Sequence, residues 1–345
     1  MSLPERPHVA VVGATGLVGR VMLGILDQRR FPAAAVRAVA SKRSAGKEVP
    51  FAGGGLVVEE ISPDVFEGVD LVLLDTPDDV AREWAPVAVA AGATVVDNSA
   101  AWRMDAGVPL VVPEVNAHEL ESLGGRPGIV ASPNCTTIGV VLPLTAIHRA
   151  FGIERVVVAS YQAVSGAGEA GVEELKEQVA KLAHELDAMG DGDPAGLAPA
   201  PRAFPAPIAF NVVPRAGSLK EQGYTSEEWK LVHESRKIMG LPTLEVTATC
   251  VRVPTVTGHG AAVHVRCGQD VDVDRALEAL DRFPGVTLCD LPTAVLAAGK
   301  DDSFVGRVRP DPADPRALWF FCACDNLRKG AALNAVQIAE RLLPA

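Results

Sequence analysis

The sequence predicts an α/β protein in which an open, mostly parallel β-sheet is followed by a second α/β domain. In the N-terminal third, short apolar runs such as His8 to Val12, Val69 to Leu74 and Ala93 to Val96 alternate with helical patterns, which is typical of parallel sheets. The first of these runs ends in a glycine-rich turn. A chain of 345 residues is also too long for one ordinary core, so we expect two domains.

The composition excludes some classes of function. Hydrophobic residues make up 48% of the chain and charged residues 22%, and the formal net charge is −11. These values fit a globular protein. An acidic chain without a basic stripe argues against a nucleic-acid partner. An anionic substrate would therefore need a local cluster of Arg and Lys.

The six cysteines do not indicate a disulfide framework, because their spacing is uneven. Cys322 and Cys324 lie in a strand-like run without a second Cys or His pair at zinc-binding spacing, so we expect no metal site. No signal peptide or membrane span is visible, since the apolar runs are short and interrupted by Gly, Pro or charge. We expect a cytoplasmic protein with no membrane partner.

The glycine turn after the first predicted strand precedes a helical pattern, Val18 to Gln28. Its glycines are Gly13, Gly16 and Gly19, with the spacing G-x-x-G-x-x-G. A strand, a glycine turn and a helix in this order predict a dinucleotide site, in which the pyrophosphate lies at the helix N-terminus. A tight turn without a ligand is the alternative.

The segment after the second predicted strand, Val36 to Ala40, indicates which dinucleotide is bound. NAD-preferring sites carry an acidic residue near the end of this strand, where it binds the ribose 2′-hydroxyl. Here hydroxyls and cations take that place, in the segment from Ser41 to Lys47. This indicates a 2′-phosphate and hence NADP, with a solvated basic loop as the alternative.

The candidate nucleophile is Cys135, in a polar loop between a strand-like run, Gly128 to Ala131, and a helical run, Ile138 to Ala150. A thiol in the first turn of a helix has a lowered pKa, which favours the reactive thiolate. The unpaired N–H groups of that turn are expected to stabilise an oxyanion. A buried structural cysteine is the alternative. The neighbouring Asn134 and threonines argue against it, because they are poor core residues.

Charged residues near predicted strand and helix ends are further candidates. Arg103 follows a strand of the first sheet and is a candidate anion clamp, with a surface arginine as the alternative. Glu227 and Lys230 share one face of a helix that begins at Thr225 or Ser226, with a solvated salt bridge as the alternative. Arg252 and His259 bracket one turn between two predicted strands.

Three more segments complete the prediction. Asp78 to Ala91 has helical periodicity interrupted by Pro86, and Val172 to Met189 is a long amphipathic helix. Asp191 to Pro207 is rich in Gly, Pro and Ala without periodicity, which predicts an exposed loop. A final helix follows Asp325.

Nine stretches of the sequence resemble the aspartate-β-semialdehyde dehydrogenase family over essentially the whole chain. They are GATGLVG at Gly13, SKRSAGK at Ser41, DNSAAWR at Asp97, SPNCTT at Ser132, YQAVSGAG at Tyr161, FPAPIAFNVVP at Phe204, EEWK at Glu227, RVPTVTGH at Arg252 and DNLRKGAALNAVQIAE at Asp325. No single stretch is decisive, but their number and order make a chance resemblance very improbable.

The resemblance implies a fold and an activity. It implies a Rossmann-type NADP-binding domain at residues 1–133, completed by residues 326–345. Residues 134–325 would form an α/β catalytic and dimerisation domain like that of glyceraldehyde-3-phosphate dehydrogenase, in a homodimer or a dimer of dimers. The implied reaction reduces L-4-aspartyl phosphate with NADPH to L-aspartate 4-semialdehyde and phosphate through a cysteine thioester, on the route to diaminopimelate, lysine, threonine, methionine and isoleucine.

The resemblance also implies roles for individual residues. The catalytic residues would be Cys135 as nucleophile, His259 as general acid and base, and Gln162, which orients the acyl intermediate. Substrate would be bound by Arg252 and Glu227 at its carboxylate and amino group, and by Arg103, Asn134 and Lys230 at its phosphate. The cofactor residues would be Gly13, Thr15, Gly16, Leu17, Val18, Gly19, Ser41, Arg43, Ser44, Ser165, Gly166, Asn326 and Gln337.

The chain departs from the family in one loop. The family often has a small-residue turn of the Ser-Ala-Gly kind after the strand at Val69, whereas this chain has Asp75-Thr76-Pro77-Asp78-Asp79. Carboxylates in this loop would lie near the phosphates or ribose of the cofactor, and their contacts stay open. The segment from Asp191 to Pro201 also has no clear counterpart.

Three alternative functions stay open at this point. N-acetyl-γ-glutamyl phosphate reductase is similar in fold, cofactor and chemistry, but its cysteine typically lies in a Gly-Cys-Tyr context, unlike Asn134-Cys135-Thr136 here. A glyceraldehyde-3-phosphate-type enzyme fits the loop after Ala40 poorly. A catalytically silent homologue that binds NADP would not need Cys135, Gln162 and His259 together.

Overall fold

The computed structural model describes residues 3–187 and 197–344. The chain divides into two compact units. Unit 1 consists of Met1–Leu142, His233–Pro242 and Leu327–Ala345, and unit 2 consists of Pro143–Val232 and Thr243–Asn326.

Unit 1 contains a seven-stranded sheet, counted within the described residues, in the order β3-β4-β2-β1-β5-β6-β7. The strands are β1 His8–Val12, β2 Ala35–Ala40, β3 Glu48–Phe51, β4 Gly54–Glu60, β5 Leu71–Leu74, β6 Thr94–Asp97 and β7 Ile129–Ala131. All neighbouring pairs are parallel except β3 with β4. The side chains of β5 and β6 are all buried, as expected for central strands covered on both faces.

The helices of unit 1 cover both faces of this sheet. They are α1 Leu17–Gln28, α2 Asp78–Ala90, α3 Pro113–Asn116, the first part of α4 Cys135–Phe151, and, after the helices of unit 2, α9 Leu333–Leu342. Val9 and Val11 of β1 pack with residues of α1 and α9, whereas Ala10 and Val12 pack with α2. This alternation follows from the two-residue period of a strand.

Unit 2 contains a six-stranded mixed sheet, again counted within the described residues, in the order β11-β12-β13-β10-β8-β9. The strands are β8 Ile153–Gln162, β9 Glu245–Arg252, β10 His259–Cys267, β11 Val286–Leu288, β12 Ser303–Pro310 and β13 Ala317–Cys324. The helices are α5 Gly168–Leu182, α6 Ser226–Met239, α7 Val273–Asp281 and α8 Ala294–Ala297. Helix α6 begins in unit 2 and ends in unit 1.

Helices α2 and α5 both differ from the sequence prediction. Helix α2 continues through Pro86, because the proline lies on the exposed face, where water can hydrate the carbonyl that it leaves unbonded. Helix α5 begins earlier than predicted and ends at Leu182. The predicted end at Met189 lies outside the described residues, as does the first part of the Asp191 to Pro207 loop. Residues 199–207 contain no helix or strand.

No helix in residues 3–187 and 197–344 is long and apolar enough to cross a membrane. None of the six cysteines forms a disulfide. In the part of the chain that the structure describes, no group of three or more His, Cys, Asp or Glu side chains is placed to hold a metal ion.

Candidate active site

The glycine turn between β1 and α1 has the shape of a phosphate-binding turn. Gly13 has φ +89°, and a Cβ at this position would lie 2.0 Å from the carbonyl oxygen of Asp75. A Cβ at Gly19 would lie 2.2 Å from the carbonyl oxygen of Gly13. Gly16, the N-cap of α1, provides no side-chain cap, and the first turn contains no acidic residue. The positive end of α1 therefore fits an anionic group such as a pyrophosphate.

The loop after β2 meets this turn. Thr15 Oγ1 donates to Ser44 Oγ at 3.3 Å, and Ser44 is buried. Ser41 and Arg43 in the same loop are exposed. Leu17 and Val18, at the start of α1, are half-buried. The structure thus brings the residues predicted for the adenosine half of NADP to one edge of the sheet of unit 1.

Cys135 is the first residue of α4, and its side chain is half-buried. The helix begins three residues before the periodicity indicates, because Asn134 acts as its N-cap. Asn134 Oδ1 accepts hydrogen bonds from the backbone N–H of Thr136 at 3.0 Å and of Thr137 at 3.3 Å. Cys135 therefore lies where the helix dipole lowers the pKa of a thiol.

The capping by Asn134 corrects one expectation. We expect unpaired N–H groups of the first turn to stabilise an oxyanion, but in the structure those of Thr136 and Thr137 are bonded to the cap. The backbone N–H of Asn134 itself donates to Glu234 Oε2 at 2.7 Å. Asn134 therefore holds the start of the helix in place, whatever contact it makes with a substrate.

Arg103 is not at the surface, and its guanidinium is already hydrogen-bonded to protein atoms. Its side chain is buried, and its Nη1 lies 3.1 Å from Glu234 Oε1. Nε donates to the carbonyl oxygen of Ser132 at 2.9 Å, and Nη2 donates to that of Asn98 at 2.6 Å. A guanidinium has five N–H donors. Three engaged nitrogens leave one N–H each on Nη1 and Nη2 for a ligand.

In unit 2, three strand ends bring Gln162, Arg252 and His259 to one edge of the sheet. Gln162 ends β8 and pairs with Arg252, which ends β9. His259 begins β10, the other neighbour of β8. Gly166 lies against two of them, since a Cβ there would be 2.8 Å from Arg252 Nη1 and 3.2 Å from His259 Nε2. Because Gly166 has no side chain, space remains beside Arg252 Nη1 and His259 Nε2.

His259 is a buried neutral imidazole. Its Nδ1 accepts the backbone N–H of Ala163 at 3.0 Å. Burial lowers the pKa of His259 to about 3, and the charge of Arg252 adds to this effect, while Glu227 and the backbone of Gly258 oppose it. A neutral ring that accepts at Nδ1 carries its proton on Nε2. His259 is thus set to donate from Nε2.

The other predicted residues of unit 2 form two connected groups around these strand ends. Glu227 Oε2 accepts from Gln162 Nε2 at 3.2 Å, and Glu227 Oε1 pairs with Lys230 Nζ at 2.7 Å. Asn326 Nδ2 donates to Ser165 Oγ at 2.9 Å, and Asn326 Oδ1 accepts the backbone N–H of Gly258 at 2.8 Å. Acid, base and amide groups suited to an amino-acid substrate therefore lie beside residues predicted for the nicotinamide.

Two family models match the chain. The model described as "Semialdehyde dehydrogenase, NAD binding domain" matches residues 8–123, and "Semialdehyde dehydrogenase, dimerisation domain" matches residues 144–329. The chain is 48% identical over 346 residues to the aspartate-semialdehyde dehydrogenase of Corynebacterium glutamicum, with 97% of this chain and 99% of the relative covered.

The chain belongs to the aspartate-semialdehyde dehydrogenase family. The predicted family and fold class are therefore confirmed. Among solved structures, the aspartate semialdehyde dehydrogenase II of Vibrio cholerae, complexed with ASA, is 40% identical with a TM-score of 0.92 and 98% coverage of both chains. The Candida albicans enzyme, solved with NADP, is 25% identical with a TM-score of 0.73 and 98% coverage of both chains.

Gln337, predicted to bind the cofactor of this family member, belongs to a buried network in unit 1. Lys329 is fully buried, with its Nζ 2.8 Å from both carboxylate oxygens of Glu114 and 2.6 Å from Gln337 Oε1. Gln337 Nε2 donates to Glu114 Oε1 at 3.1 Å. Asn334 Nδ2, also near Lys329, donates to Ser132 Oγ at 3.1 Å. The network therefore reaches the loop that carries Cys135.

Sequence reasoning missed two residues of helix α6 that hold the loop around Arg103. Glu234 accepts from the Arg103 side chain, and Lys237 Nζ donates to the carbonyl oxygens of Arg103, Asp105 and Val108 at 2.8, 2.9 and 2.9 Å. Burial lowers the pKa of Lys237. The sequence pattern could have identified Glu234, because helical periodicity places it on the buried face of α6.

Proposed function

We propose that this protein catalyses the NADPH-dependent reductive dephosphorylation of L-4-aspartyl phosphate to L-aspartate 4-semialdehyde, with Cys135 as nucleophile. The observation that carries the proposal is the placement of Cys135 as the first residue of α4, capped by Asn134. Membership of the aspartate-semialdehyde dehydrogenase family supports the choice of substrate.

In the proposed mechanism, the Cys135 thiolate attacks the carbonyl carbon of the acyl phosphate. The S–C bond forms, the C–O bond to the phosphoryl group breaks, and phosphate leaves with the bonding electrons. The resulting thioester resists water better than the acyl phosphate does, so two easier steps replace one difficult step. The helix dipole of α4 stabilises the thiolate before attack and again when Sγ is expelled with release of the aldehyde.

His259 protonates the carbonyl oxygen as the hydride adds, and it takes this proton back when the C=O bond re-forms and Sγ leaves. Its Nε2 proton is placed by the hydrogen bond at Nδ1, and its lowered pKa keeps the ring neutral through the ordinary assay range. Proton transfer of this kind contributes about 10²–10⁴-fold to a rate. Gln162, bonded to Glu227, orients the acyl group.

The charges of the candidate residues complement those of an aspartyl phosphate. Arg252 is suited to the α-carboxylate, because a guanidinium grips a carboxylate through two parallel hydrogen bonds. Glu227 is suited to the α-ammonium group. Lys230, Asn134 and the two remaining N–H groups of Arg103 are suited to the phosphate. Arg103, Lys230 and Arg252 would each supply positive charge that an acidic protein needs to bind an anion.

The cofactor that we assign is NADP. When bound, its reduced form supplies the hydride that takes the acyl group to the aldehyde. The glycine turn with Gly13, Gly16 and Gly19 would hold the pyrophosphate at the N-terminus of α1, which no side chain caps. Ser41, Arg43 and Ser44 would hold the 2′-phosphate, in a loop without an acidic residue. Ser165, Gly166, Asn326 and Gln337 are assigned to the nicotinamide half.

We assign NADP binding to residues 1–133 and 326–345, and catalysis and dimerisation to residues 134–325. The sheet of unit 2 supports self-association, because Val157 and Tyr161 of β8 are exposed. The ring of Tyr161 stacks on Phe321 of β13 with centroids 5.9 Å apart, so the two strands present one aromatic surface. A homodimer through this sheet, in a reducing cytoplasm, is our proposal.

The experiment that tests the function is a spectrophotometric assay in the phosphorylating direction. The full-length protein is incubated with phosphate, NADP and either L-aspartate 4-semialdehyde or N-acetyl-L-glutamate 5-semialdehyde. We expect NADPH to appear with the aspartate aldehyde and not with the acetylated one. Turnover with only the acetylated aldehyde would reverse the assignment, and NADP binding without turnover of either would indicate a silent homologue.

A further inference from the structure

The ammonium group of Lys329 lies at the branch point of a buried hydrogen-bond network in unit 1. Lys329 is fully buried. Its Nζ contacts both carboxylate oxygens of Glu114 at 2.8 Å, Gln337 Oε1 at 2.6 Å and Asn334 Oδ1 at 3.4 Å. An ammonium has three N–H donors, so one is available for each of these three side chains. The cation therefore orients two amides, and one carboxylate balances its charge.

The local backbone brings two of these side chains together. Residues Arg328–Ala332 form a π turn, in which the backbone N–H of Ala332 donates to the carbonyl oxygen of Leu327 at 3.1 Å. A π turn contains one more residue than an α-helical turn. Lys329 and Asn334, which are five positions apart, therefore come to the same side of the chain. Turns of this kind are frequent at functional sites.

The first branch of the network runs through Asn334 to the loop before Cys135. Asn334 is fully buried, and its Nδ2 donates to the carbonyl oxygen of Val111 at 3.0 Å and to Ser132 Oγ at 3.1 Å. Ser132 is also fully buried and lies three residues before Cys135. Because Lys329 holds the oxygen of the Asn334 amide, it keeps the nitrogen of that amide on Ser132.

The second branch is the side chain of Gln337, which we assign to the nicotinamide half of NADP. Gln337 Oε1 accepts from Lys329, and Gln337 Nε2 donates to Glu114 Oε1 at 3.1 Å. A carbonyl oxygen and an amino group are distinct in their hydrogen bonds, so these two contacts fix the orientation of the Gln337 amide. The same cation thus holds a cofactor residue and, through Asn334, the loop of the nucleophile.

We propose that Lys329 is a positioning residue for hydride transfer, because it orients Gln337 and, through Asn334, the loop that carries Cys135. This inference rests on the proposed function, since it takes Cys135 as the nucleophile and NADP as the cofactor. In the phosphorylating direction, the hydride passes with its two electrons from the hemithioacetal carbon on Sγ to NADP. The hydroxyl proton passes to His259, and a thioester remains. The rate of such a transfer depends steeply on the placement of the reacting atoms.

The test uses the charge-matched variant Lys329→Met/Glu114→Gln of the full-length protein. The second substitution removes a mostly buried carboxylate that would otherwise lose its cation, and its amide oxygen can still accept from Gln337. The rate of a single turnover to NADPH is measured at saturating NADP and phosphate. The substrate is L-aspartate 4-semialdehyde, either unlabelled or deuterated at its aldehyde carbon.

We expect the single-turnover rate of this variant to fall about 10-fold to 100-fold. The deuterium isotope effect should be at least as large as that of the wild type, because hydride transfer is the slowed step. A loss of stability alone changes the fraction of folded protein and leaves the isotope effect unchanged. The dissociation constant of NADP should rise about two- to tenfold, the cost of one lost hydrogen bond to Gln337.

Asn334→Ala separates the two branches, because it removes only the one that leads to Ser132. We expect its single-turnover rate to fall with the isotope effect retained, while the dissociation constant of NADP stays within about twofold of the wild type. If Asn334→Ala does not fold, Asn334→Asp should give the same result, since it keeps an acceptor for Lys329 and loses the donor to Ser132.

The matched control is Lys176→Met/Glu173→Gln, which removes an exposed Lys–Glu pair on α5. It should keep the single-turnover rate, the isotope effect and the dissociation constant of the wild type.

The outcomes separate this inference from the function on which it rests. A wild-type rate in either the charge-matched variant or the Asn334 variant would overturn the inference and leave the proposed function intact. Slower turnover with a reduced isotope effect would also overturn it, since a step other than hydride transfer would then be slowed. Failure of the wild type to form NADPH from L-aspartate 4-semialdehyde would contradict the proposed function itself.

Discussion

Arg103 is a buried cation that is held by a carboxylate and two backbone carbonyls before any ligand arrives. Its position and orientation are therefore set by the protein. Glu234 balances its charge and so prevents an isolated ion from being buried. The same carboxylate receives the N–H of Asn134. One glutamate therefore connects a phosphate-binding candidate to the residue before the nucleophile.

Replacement of Arg103 by leucine should affect both binding and stability. We expect Arg103→Leu to raise KM for phosphate by about tenfold or more, which corresponds to about 1.4 kcal/mol of lost binding. It leaves Glu234 buried without its cation, so the free energy of unfolding should fall by about 3–5 kcal/mol. Steady-state kinetics with varied phosphate and urea unfolding measure the two effects.

The double variant Arg103→Leu/Glu234→Gln separates them. It removes the uncompensated charge while an amide oxygen can still accept the N–H of Asn134. Stability should recover in part, while KM for phosphate stays high. A KM equal to that of the wild type in both variants would exclude Arg103 from the phosphate site.

At the scale of elements, helix α6 carries a continuous polar stripe. Glu227, Lys230, Glu234 and Lys237 follow one another at intervals of three or four residues, which places them on one face. The first two are substrate candidates, and the last two hold the loop around Arg103. The sequence patterns indicated only the first pair, although the same spacing leads on to the second.

Helix α4 depends on its N-cap. We expect Asn134→Ala to lower the free energy of unfolding by about 0.5–2 kcal/mol, the usual cost of a lost N-cap. Fraying of the first turn weakens the local dipole at Cys135, so the thiol pKa should rise and kcat should fall. The pH dependence of alkylation of Cys135 by iodoacetamide, together with thermal unfolding, measures both.

Asp272→Ala is the matched control for that experiment. Asp272 caps α7 through the backbone N–H of Arg275 at 2.7 Å, and no role in the reaction is assigned to it. It should reduce stability by a similar amount while the alkylation profile of Cys135 stays unchanged. Equal alkylation profiles for Asn134→Ala and the wild type would show that the cap does not activate the thiol.

For the whole molecule, sequence patterns predict local features well and long-range pairs not at all. Strand β1 has the predicted bounds, and Thr225 caps α6 through the backbone N–H of Glu228, as its position suggested. In contrast, Lys329 and Glu114 lie 215 positions apart, and Arg103 and Glu234 lie 131 apart. No periodicity relates such residues, so only the folded chain shows that each buried charge has a partner.

The net charge of −11 also has a meaning at this scale. An acidic surface does not attract an acyl phosphate, so its recognition depends on a few placed cations. Arg103 and Arg252 are both buried, where interactions with an anion are less screened by solvent than at the surface. We expect phosphate binding to depend on these side chains rather than on the overall charge.

The proposed function depends above all on a covalent bond between Cys135 and the substrate. The most direct test is phosphate-dependent formation of NADPH from L-aspartate 4-semialdehyde by Cys135→Ala, with NADP binding measured on the same sample. We predict that turnover falls by about 10³-fold or more while the dissociation constant of NADP stays within about twofold of the wild type. Turnover close to that of the wild type would show that Cys135 is not the nucleophile.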